Sequence, residues 1–247
     1  MIGRFRYNNE VFQGVVRGER VIVERGLYCD TFVFSDLELL SPTDPSKIIC
    51  VGLNYLDHAV ELSMPIPEKP LIFLKPPSAI IGHLGKIIYP DTAQRVDYEA
   101  ELAIVLGKRC KSVPSENAGQ VIMGYTCFND ITARDLQKED GQWTRSKSFD
   151  TFAPVGPLIT DPGLDVGDLS IRTRVNGKLR QDSRTSNLIF GVPELIEFIS
   201  GIMTLEKGDI IATGTPPGVG ELFAGDEVEV EIEGIGILKN SVVRAER

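Results

Sequence analysis

Histidine and cysteine are scarce in this sequence, and their scarcity excludes several kinds of site. The 247 residues include only two histidines, His58 and His83, and four scattered cysteines with no CxxC pair. A metal site built from several histidines is therefore excluded, and the cysteine spacing argues against a zinc site. The cysteines are better explained as structural thiols in a reducing compartment.

Long apolar segments and positive charge are also lacking. No stretch approaches the roughly 20 apolar residues of a membrane span, and residues 1–9 contain no apolar run of signal-peptide length. The formal net charge is −9, whereas nucleic acid and anionic membranes attract basic surfaces. We therefore expect a cytoplasmic protein with neither nucleic acid nor membrane as a partner.

The short signatures of several enzyme classes are absent as well. The sequence contains no GxSxG nucleophile motif, no dinucleotide-binding fingerprint and no HExxH zinc motif. A glycine-rich segment at residues 212–220 resembles a phosphate loop only superficially, because it lacks the GK[ST] ending.

Strand patterns dominate what is present. Runs rich in β-forming residues and bounded by Gly, Pro or Asp occupy residues 48–51, 71–74, 102–106, 123–128, 171–175, 210–212 and 228–232. Helical patterns are fewer, at residues 54–62, 115–122, 132–139 and 193–203. Asn176-Gly177 predicts a hairpin, since this pair accepts the positive φ of a type I′ turn. The sequence predicts a mainly β, or α+β, fold.

The chain also divides into two regions of unequal size. Residues 4–25 contain short β segments broken by turn signals, and the polar, proline-bearing stretch at residues 41–46 follows. We therefore predict a small N-terminal β module over residues 1–42 and a larger domain over residues 43–247.

Three carboxylates stand at the ends of predicted strands. Glu99 and Glu101 precede the apolar run 102–106, and the two-residue period of a strand places them on one face. Asp130 follows the strand 123–128. Carboxylates that share a site repel one another unless a cation neutralises them, and Mg²⁺, Mn²⁺ and Ca²⁺ prefer oxygen ligands. An exposed acidic strand edge would give the same pattern, although the apolar neighbours favour a metal site.

Two further candidates have ordinary alternatives. If Asn54 caps a helix, His58 and Glu61 share a face, and a carboxylate beside an imidazole suits a general base that acts on water. A solvated surface pair has the same spacing. Lys147 lies in a loop near Trp143, where most lysines would simply be solvated. The segment 212–220 is either a plain turn or a carboxylate-binding loop of backbone N–H groups.

Taken together, these motifs resemble the fumarylacetoacetate hydrolase superfamily, and in particular its compact prokaryotic members. The resemblance covers roughly residues 45–245 and rests on ordered motifs: GxNYxxHxxE at 52–61, FLKP at 73–76 with SAIIG at 78–82, DYEAEL at 97–102, ND at 129–130 with TARD at 132–135, KSFD at 147–150 with PVGP at 154–157, VPEL at 192–195, GDII at 208–211, and TGTP at 213–216 running to GVG at 218–220.

The resemblance implies a β-roll-like catalytic domain over residues 43–247, usually a homodimer, with Mg²⁺ or Mn²⁺ and no organic cofactor. It implies that the metal is held by Glu99, Glu101 and Asp130. His58 and Glu61 would form a catalytic dyad on a segment that orders with substrate, and Lys147 would lie beside the metal. The implied substrate contacts are Lys75, Arg134, Gln137 and Thr215.

We expect a metal-dependent hydrolase that cleaves a C–C bond in a small acylpyruvate-like acid, a 1,3-diketo 2-oxo acid, through a metal-stabilised enolate. The presence of both His58 and Glu61 favours this water-activating chemistry. The alternatives are an isomerase or decarboxylase of an unsaturated 2-oxo dioate in the catabolism of aromatic compounds, or an oxaloacetate decarboxylase; reprotonation of the same enolate elsewhere would give a tautomerase or isomerase. A sugar-acid dehydratase and a non-catalytic metal-binding dimer are further possibilities.

Overall fold

The computed structural model describes residues 1–245 and is built mainly from strands. The strands within these residues are β1 (Ile2–Tyr7), β2 (Glu10–Arg17), β3 (Arg20–Arg25), β4 (Tyr28–Val33), β5 (Glu38–Leu39), β6 (Ile48–Val51), β7 (Ile72–Lys75), β8 (Ile80–Ile81), β9 (Lys86–Tyr89), β10 (Val96–Tyr98), β11 (Ala100–Leu106), β12 (Ile122–Asn129), β13 (Thr132–Ala133), β14 (Ala153–Gly156), β15 (Ser170–Val175), β16 (Lys178–Arg184), β17 (Ile210–Ala212), β18 (Gly220–Leu222), β19 (Glu227–Ile232) and β20 (Gly236–Arg244).

Helices are short and few. The α-helices of the described residues are α1 (Leu56–Glu61), α2 (Arg134–Asp140), α3 (Thr144–Lys147) and α4 (Val192–Ile202). Four 3₁₀ segments complete the set: Phe34–Asp36, Pro77–Ala79, Ser115–Val121 and Thr185–Asn187. The mainly β prediction is confirmed.

The predicted hairpin is present, and one predicted helix differs in kind. Asn176 and Gly177 join β15 to β16 with φ of 51° and 74°, the conformation expected of a type I′ turn. The segment predicted as a helix at residues 115–122 is instead a 3₁₀ helix. Gly119 lies in its middle, and glycine is a weak helix former.

A five-stranded antiparallel sheet lies at the N-terminus, in the order β4-β3-β2-β1-β5. Phe5, Val21 and Val23 are buried against it together with Leu158 from the rest of the chain. A β-bridge between Ile2 and Ile159 also links the two regions. The division at residues 42 and 43 stays a prediction.

The remaining strands form three sheets. The central one has seven strands in the order β7-β6-β17-β11-β12-β14-β8, and a five-stranded sheet has the order β16-β15-β19-β20-β9. A small three-stranded sheet has the order β13-β10-β18, and its strand β10 precedes β11 in the sequence. Along β11, Leu102 and Ile104 enter the largest core cluster, whereas Ala103 enters a second cluster on the other face. Both faces of the central sheet are therefore covered, which explains its continuous apolar runs.

One edge of the central sheet gathers the chemically useful residues. Strands β6, β17 and β12 end there and β11 begins there, as the pairings of Cys50 with Ala212 and of Ala100 with Asn129 require. The loops that follow β6, β12 and β17 consequently meet at this edge. No helix among residues 1–245 has the length and apolarity needed to span a membrane.

Candidate active site

Three buried carboxylates form the centre of the site. Glu99, Glu101 and Asp130 each offer one oxygen, and these oxygens lie within 4.8 Å of one another. Glu101 is the second residue of β11, and Asp130 directly follows β12. The sequence-based pattern therefore identified three side chains that the fold brings together.

Glu99 reaches the cluster through a break in the strand and not through simple alternation. It lies between β10 and β11, which belong to different sheets. Its backbone N–H donates to the side-chain oxygen of Asn129 at 3.0 Å, and its carbonyl accepts from the N–H of Asp130 at 2.9 Å. These two bonds hold the break beside the end of β12.

Cationic side chains surround the cluster. Lys147 Nζ lies 3.0 Å from Glu99 Oε2 and 2.6 Å from Asp130 Oδ2, and it sits 4.9 Å from the centre of the Phe73 ring. Arg134 donates to Glu99 through Nη2. Lys147 comes from α3, a helix that the sequence did not predict.

The charges shift the ionisation of the two glutamates in opposite directions. Burial would raise the pKa of Glu99, but the ammonium of Lys147 and the guanidinium of Arg134 outweigh it and lower that pKa to about 2. Burial raises the pKa of Glu101 well above its ordinary value, and the charges of Asp130 and Glu99 raise it further. Glu101 is thus the carboxylate whose charge is least compensated.

His58 and Glu61 form a hydrogen-bonded pair on α1. His58 Nδ1 is 2.8 Å from Glu61 Oε2, and the other carboxylate oxygen of Glu61 accepts from the N–H of Gly218 at 3.1 Å. Glu61 therefore joins α1 to the glycine-rich loop after β17. When Glu61 accepts a hydrogen bond from Nδ1–H, Nε2 of His58 keeps a free lone pair and can act as a base.

Asn54 does not cap this helix, so that prediction is wrong. The N-cap position is Tyr55, and no side chain caps the helix. The buried Asn54 side chain instead donates to the carbonyl of Thr213 at 2.7 Å and accepts from the N–H of Phe190 at 2.8 Å. Its amide cross-links three loops, a role that satisfies more buried backbone groups than a cap would.

A cavity of about 340 Å³ opens over the cluster. Its lining includes seven of the ten predicted site residues: His58, Glu99, Glu101, Arg134, Gln137, Lys147 and Thr215. Glu61 is not in the lining but is bonded to His58. Asp130 and Lys75 lie behind them. Lys75 is fully buried and donates to Asp130 Oδ1 and, at 2.9 Å, to the carbonyl of Ile131. A direct contact between Lys75 and substrate stays a prediction.

Gln181 is a site residue that no sequence pattern revealed. Its side chain is completely buried on β16 and donates to Thr215 Oγ1 and to the carbonyl of Pro216, both at 2.8 Å. Its oxygen accepts from the N–H of Ala100 at 3.0 Å. Gln181 thereby fixes the Thr215 loop against the start of β11. A glutamine in an otherwise polar strand gives no signal of this in sequence.

Comparison with known proteins decides the family. Residues 47–243 match the family model described as fumarylacetoacetate (FAA) hydrolase C-terminal. The chain belongs to this family. An uncharacterized protein of Archaeoglobus fulgidus is 56% identical over 249 residues, which cover 100% of this chain and 98% of that protein. The mitochondrial oxaloacetate tautomerase fahd2 of Xenopus laevis is 45% identical over 221 residues, covering 85% of this chain and 69% of the tautomerase.

Solved structures of the fumarylacetoacetate hydrolase family share the whole fold. A 5-carboxymethyl-2-hydroxymuconate delta-isomerase from Mycobacterium smegmatis is 45% identical, with a TM-score of 0.92 over 100% of this chain and 99% of the isomerase. A maleylpyruvate hydrolase from Sphingobium sp. SYK-6, in complex with manganese(II) and pyruvate, is 31% identical, with a TM-score of 0.85 and 99% of each chain covered. Hydrolases, isomerases and tautomerases are thus all similar to this chain.

The donor set of the cluster fits a divalent cation of the kind this family suggests. All three groups are carboxylates, which Mg²⁺ and Mn²⁺ prefer to nitrogen or sulfur ligands. A cation at their meeting point would offset both causes of the raised pKa of Glu101, which are its burial and the repulsion from Asp130 and Glu99. Glu99, Glu101 and Asp130 are therefore the residues suited to hold it.

Proposed function

We propose that this protein is a divalent-metal-dependent enzyme that interconverts the keto and enol forms of a small 2-oxo acid. One observation carries the proposal: His58, which is bonded to Glu61, lines the same cavity as Glu99 and Glu101 of the carboxylate cluster. A base and a cation site that share one substrate pocket suit proton abstraction next to a carbonyl.

The similar proteins support keto–enol interconversion over hydrolysis. The tautomerase and the delta-isomerase, each 45% identical, both carry names that denote proton movement without C–C bond cleavage. The hydrolase is more distant, at 31% identity. The hydrolytic activity favoured by the sequence motifs stays a prediction and becomes the second candidate.

The residues of the chain would divide the work as follows. A divalent cation held by Glu99, Glu101 and Asp130 would supply Lewis-acid polarisation of the 2-oxo group. His58 Nε2 would remove a proton from C3 of the substrate, and the C–H electron pair would form the C2–C3 double bond. The keto oxygen then gains negative charge, which the nearby Lys147 ammonium would stabilise. Solvent water would protonate this oxygen to complete the enol, and His58 would return its proton to the solvent.

Glu61 and Thr215 would have supporting roles. Glu61 would accept a hydrogen bond from the Nδ1–H of His58, since its Oε2 lies 2.8 Å from Nδ1. This bond leaves Nε2 as the basic nitrogen of the ring and stabilises the positive charge of the ring after protonation. The Thr215 hydroxyl, positioned by Gln181 at 2.8 Å, would hydrogen-bond the substrate carboxylate. Arg134 and Gln137, which line the same cavity, would also bind the substrate.

Hydrolysis of an acylpyruvate is the second candidate, because the same pair could activate water. His58 would then take a proton from water while the oxygen attacks the distal carbonyl. The C–C bond to the pyruvate part would then break, its electron pair would pass to C3 of that part, and C3 would take up the proton held by His58, which releases pyruvate and a carboxylic acid. The pyruvate bound to the similar hydrolase is the specific observation in favour of this reading.

The deciding experiment measures both reactions on the same preparation. Purified protein is given oxaloacetate, with the enol followed by its ultraviolet absorbance, and acetylpyruvate, with pyruvate release followed, in Mg²⁺, Mn²⁺ or EDTA. Metal-dependent enol exchange without pyruvate release supports the tautomerase. Pyruvate release from acetylpyruvate supports the hydrolase. Activity that EDTA does not affect rejects both metal-dependent candidates.

Two variants separate the proton-transfer group from the cation site. His58→Ala should lower kcat by about 10²- to 10⁴-fold, the usual contribution of a positioned base, and leave Mn²⁺ affinity unchanged. Glu101→Gln should weaken Mn²⁺ binding by about 100-fold or more, since losing even an outer-shell partner costs 10- to 100-fold. Full activity in His58→Ala would reject His58 as the base, whereas Mn²⁺ binding without turnover of either substrate by the wild-type protein would favour a non-catalytic metal-binding protein.

A further inference from the structure

A β-bulge lies beside the buried glutamine of strand β16. Thr173 pairs with Gln181 across the β15–β16 ladder, whereas the next pair is Arg174 with Leu179. Arg180 is therefore an extra residue, and a bulge of this kind re-aims the side chains next to it. Gln181 is completely buried, although its neighbour Arg180 is exposed. The bulge thus accompanies a polar side chain that points into the interior.

The side chain of Gln181 uses its whole hydrogen-bonding capacity. A side-chain amide has two N–H donors and two acceptor lone pairs. Nε2 donates to Thr215 Oγ1 and to the carbonyl of Pro216, both at 2.8 Å. Oε1 accepts from the N–H of Ala100 at 3.0 Å and from Thr173 Oγ1 at 2.6 Å. Four groups from three separate segments therefore meet at one amide.

These partners fix the direction of every hydrogen bond in the group. The N–H of Ala100 can only donate and the carbonyl of Pro216 can only accept, so the amide of Gln181 has a single possible orientation. The Thr173 hydroxyl consequently donates to Oε1, and the Thr215 hydroxyl accepts from Nε2. The proton of the Thr215 hydroxyl remains available, because within residues 1–245 this hydroxyl donates to no other group.

Thr215 is thereby prepared as a hydrogen-bond donor to a ligand. It lines the cavity over the carboxylate cluster and is 6% exposed. A hydroxyl that is already held in place loses less freedom when it binds a ligand than one that rotates. An anionic oxygen gains most from such a donor, since hydrogen bonds to ionised groups are stronger than those between neutral groups.

The same amide also holds the strand that carries two of the carboxylates. Ala100 stands between Glu99 and Glu101, and its N–H is one of the four groups bound to Gln181. The glycine-rich loop itself touches Glu101, whose Oε2 accepts from the N–H of Gly214 at 2.9 Å. The start of β11 and the glycine-rich loop are therefore fixed to each other at both points.

We propose that Gln181 is a positioning residue that joins the cation site to the substrate site. This inference rests on the proposed function, in which a 2-oxo acid binds beside the cation. Gln181 holds Thr215 as a donor to the substrate carboxylate. Through Ala100, it also holds the backbone between two of the carboxylates that suit a cation. Gln181 touches neither the cation nor the substrate, because all four of its hydrogen bonds go to the protein.

The test measures two dissociation constants in a double-mutant cycle of Gln181→Met and Thr215→Val. Titration calorimetry gives the affinity for Mn²⁺ and, at saturating Mn²⁺, the affinity for pyruvate as a simple 2-oxo acid. Gln181→Met should weaken pyruvate binding about tenfold, the contribution of one hydrogen bond to a charged group. It should also weaken Mn²⁺ binding about tenfold, the lower end for loss of an outer-shell partner. Thr215→Val should weaken pyruvate binding to the same extent and leave Mn²⁺ binding unchanged.

The double variant gives a result that a merely structural role would not produce. If Gln181 acts on pyruvate through Thr215, adding Gln181→Met to Thr215→Val should weaken pyruvate binding by less than about twofold further. Mn²⁺ binding should still weaken. A general loosening of the site would instead weaken pyruvate binding equally in both backgrounds. That equal loss, or unchanged Mn²⁺ affinity in Gln181→Met, overturns the inference.

Two further variants control for stability and specificity. Thr173→Val removes only the bond to Oε1 and should reproduce the pattern with smaller losses. If Gln181→Met does not fold, unchanged constants in Thr173→Val overturn the inference instead. Thr126→Val is the matched control and should change neither constant, because this buried strand threonine has no hydrogen-bond partner for its hydroxyl among residues 1–245.

Failure of the inference can be distinguished from failure of the proposed function. The outcomes that overturn the role of Gln181 leave metal-dependent enol exchange of oxaloacetate by the wild-type protein intact. Wild-type protein that binds Mn²⁺ but does not bind pyruvate overturns the inference and the proposed function together.

Discussion

Lys147 neutralises two carboxylates at once, and this position has consequences for stability. Its Nζ bridges Glu99 and Asp130 at 3.0 and 2.6 Å, and the side chain is 2% exposed. Burial would lower the pKa of Lys147, but the charges of Asp130 and Glu99 outweigh it and raise that pKa. Removing one member of a buried ion pair leaves uncompensated charge in the interior.

Lys147→Met should therefore destabilise the metal-free protein by about 3 kcal/mol or more. Mn²⁺ should raise the melting temperature of this variant more than that of the wild type, because the cation replaces the lost positive charge. Thermal unfolding in EDTA and in Mn²⁺ measures both effects, with Lys86→Met, an exposed lysine, as the control. The same Mn²⁺-induced increase in both proteins would contradict this account.

Single residues differ in how far sequence could anticipate them. The cluster of Glu99, Glu101 and Asp130 could be predicted because carboxylates that share a site beside apolar strands repel one another unless a cation neutralises them. Gln181 could not be predicted, because its importance comes from the residues that it contacts across the fold. Gln181 meets Thr215 and Ala100 only after β16 pairs with β15, and no local pattern encodes such a meeting.

At the scale of elements, helix α1 is too short to be stable alone and depends on its anchors. It has six residues, whereas isolated helices shorter than about 12 residues are marginal in water. Asp57 Oδ2 accepts from Ser183 Oγ at 2.5 Å and from Asn187 Nδ2 at 3.1 Å. These two bonds attach the start of α1 to the segment that ends β16.

Asp57→Ala should loosen α1 and lower activity through the position of His58. We expect faster hydrogen exchange in the peptide containing residues 56–61 and a fall in kcat of about tenfold, the effect of small misplacement of a catalytic group. Mn²⁺ affinity should not change, since Asp57 does not touch the carboxylate cluster. Ser183→Ala, which removes one of the two bonds, should give a smaller effect. Unchanged exchange in Asp57→Ala would contradict the anchoring role.

The sequence predicted elements better where patterns are strong. The runs 48–51 and 210–212 match β6 and β17 residue for residue, because a short apolar run between turn residues is typical of a buried strand. The helix α3, which supplies Lys147, was missed. Its four residues are too few for any periodicity, so tertiary contacts alone create it.

At the scale of the whole molecule, the arrangement of sheets could not be derived from the sequence patterns. Alternation and turn signals predict strands, but strand order depends on contacts between distant segments, such as the parallel pairing of β6 with β17. The family resemblance supplied the expected architecture instead. The homodimer and the domain boundary at residue 42 stay predictions, which light scattering and limited proteolysis would test.

Asp209 connects distant parts of the chain, and its ionisation should affect the stability of the whole fold. The side chain is buried at the start of β17 and accepts from the N–H of Ser46 at 2.9 Å, from the N–H of Glu206 at 2.8 Å, and from the Lys47 ammonium. Burial would raise the pKa of Asp209, but the bonds from Lys47, Glu206 and Ser46 outweigh it and lower that pKa.

Because the pKa of Asp209 is lower in the folded state, the unfolded chain binds its proton more readily, and acid favours unfolding. The stabilisation is complete above the ordinary aspartate pKa of about 4 and is lost as the pH falls through the lower folded value. Asp209→Asn should cost roughly 2 kcal/mol at pH 7, since hydrogen bonds to a charged group are replaced and Lys47 is partly screened by solvent. Urea unfolding of both proteins at pH 7 and pH 3 measures the difference, which should shrink at pH 3. A difference of the same size at both values would mean that packing around Asp209, and not its charge, stabilises the fold.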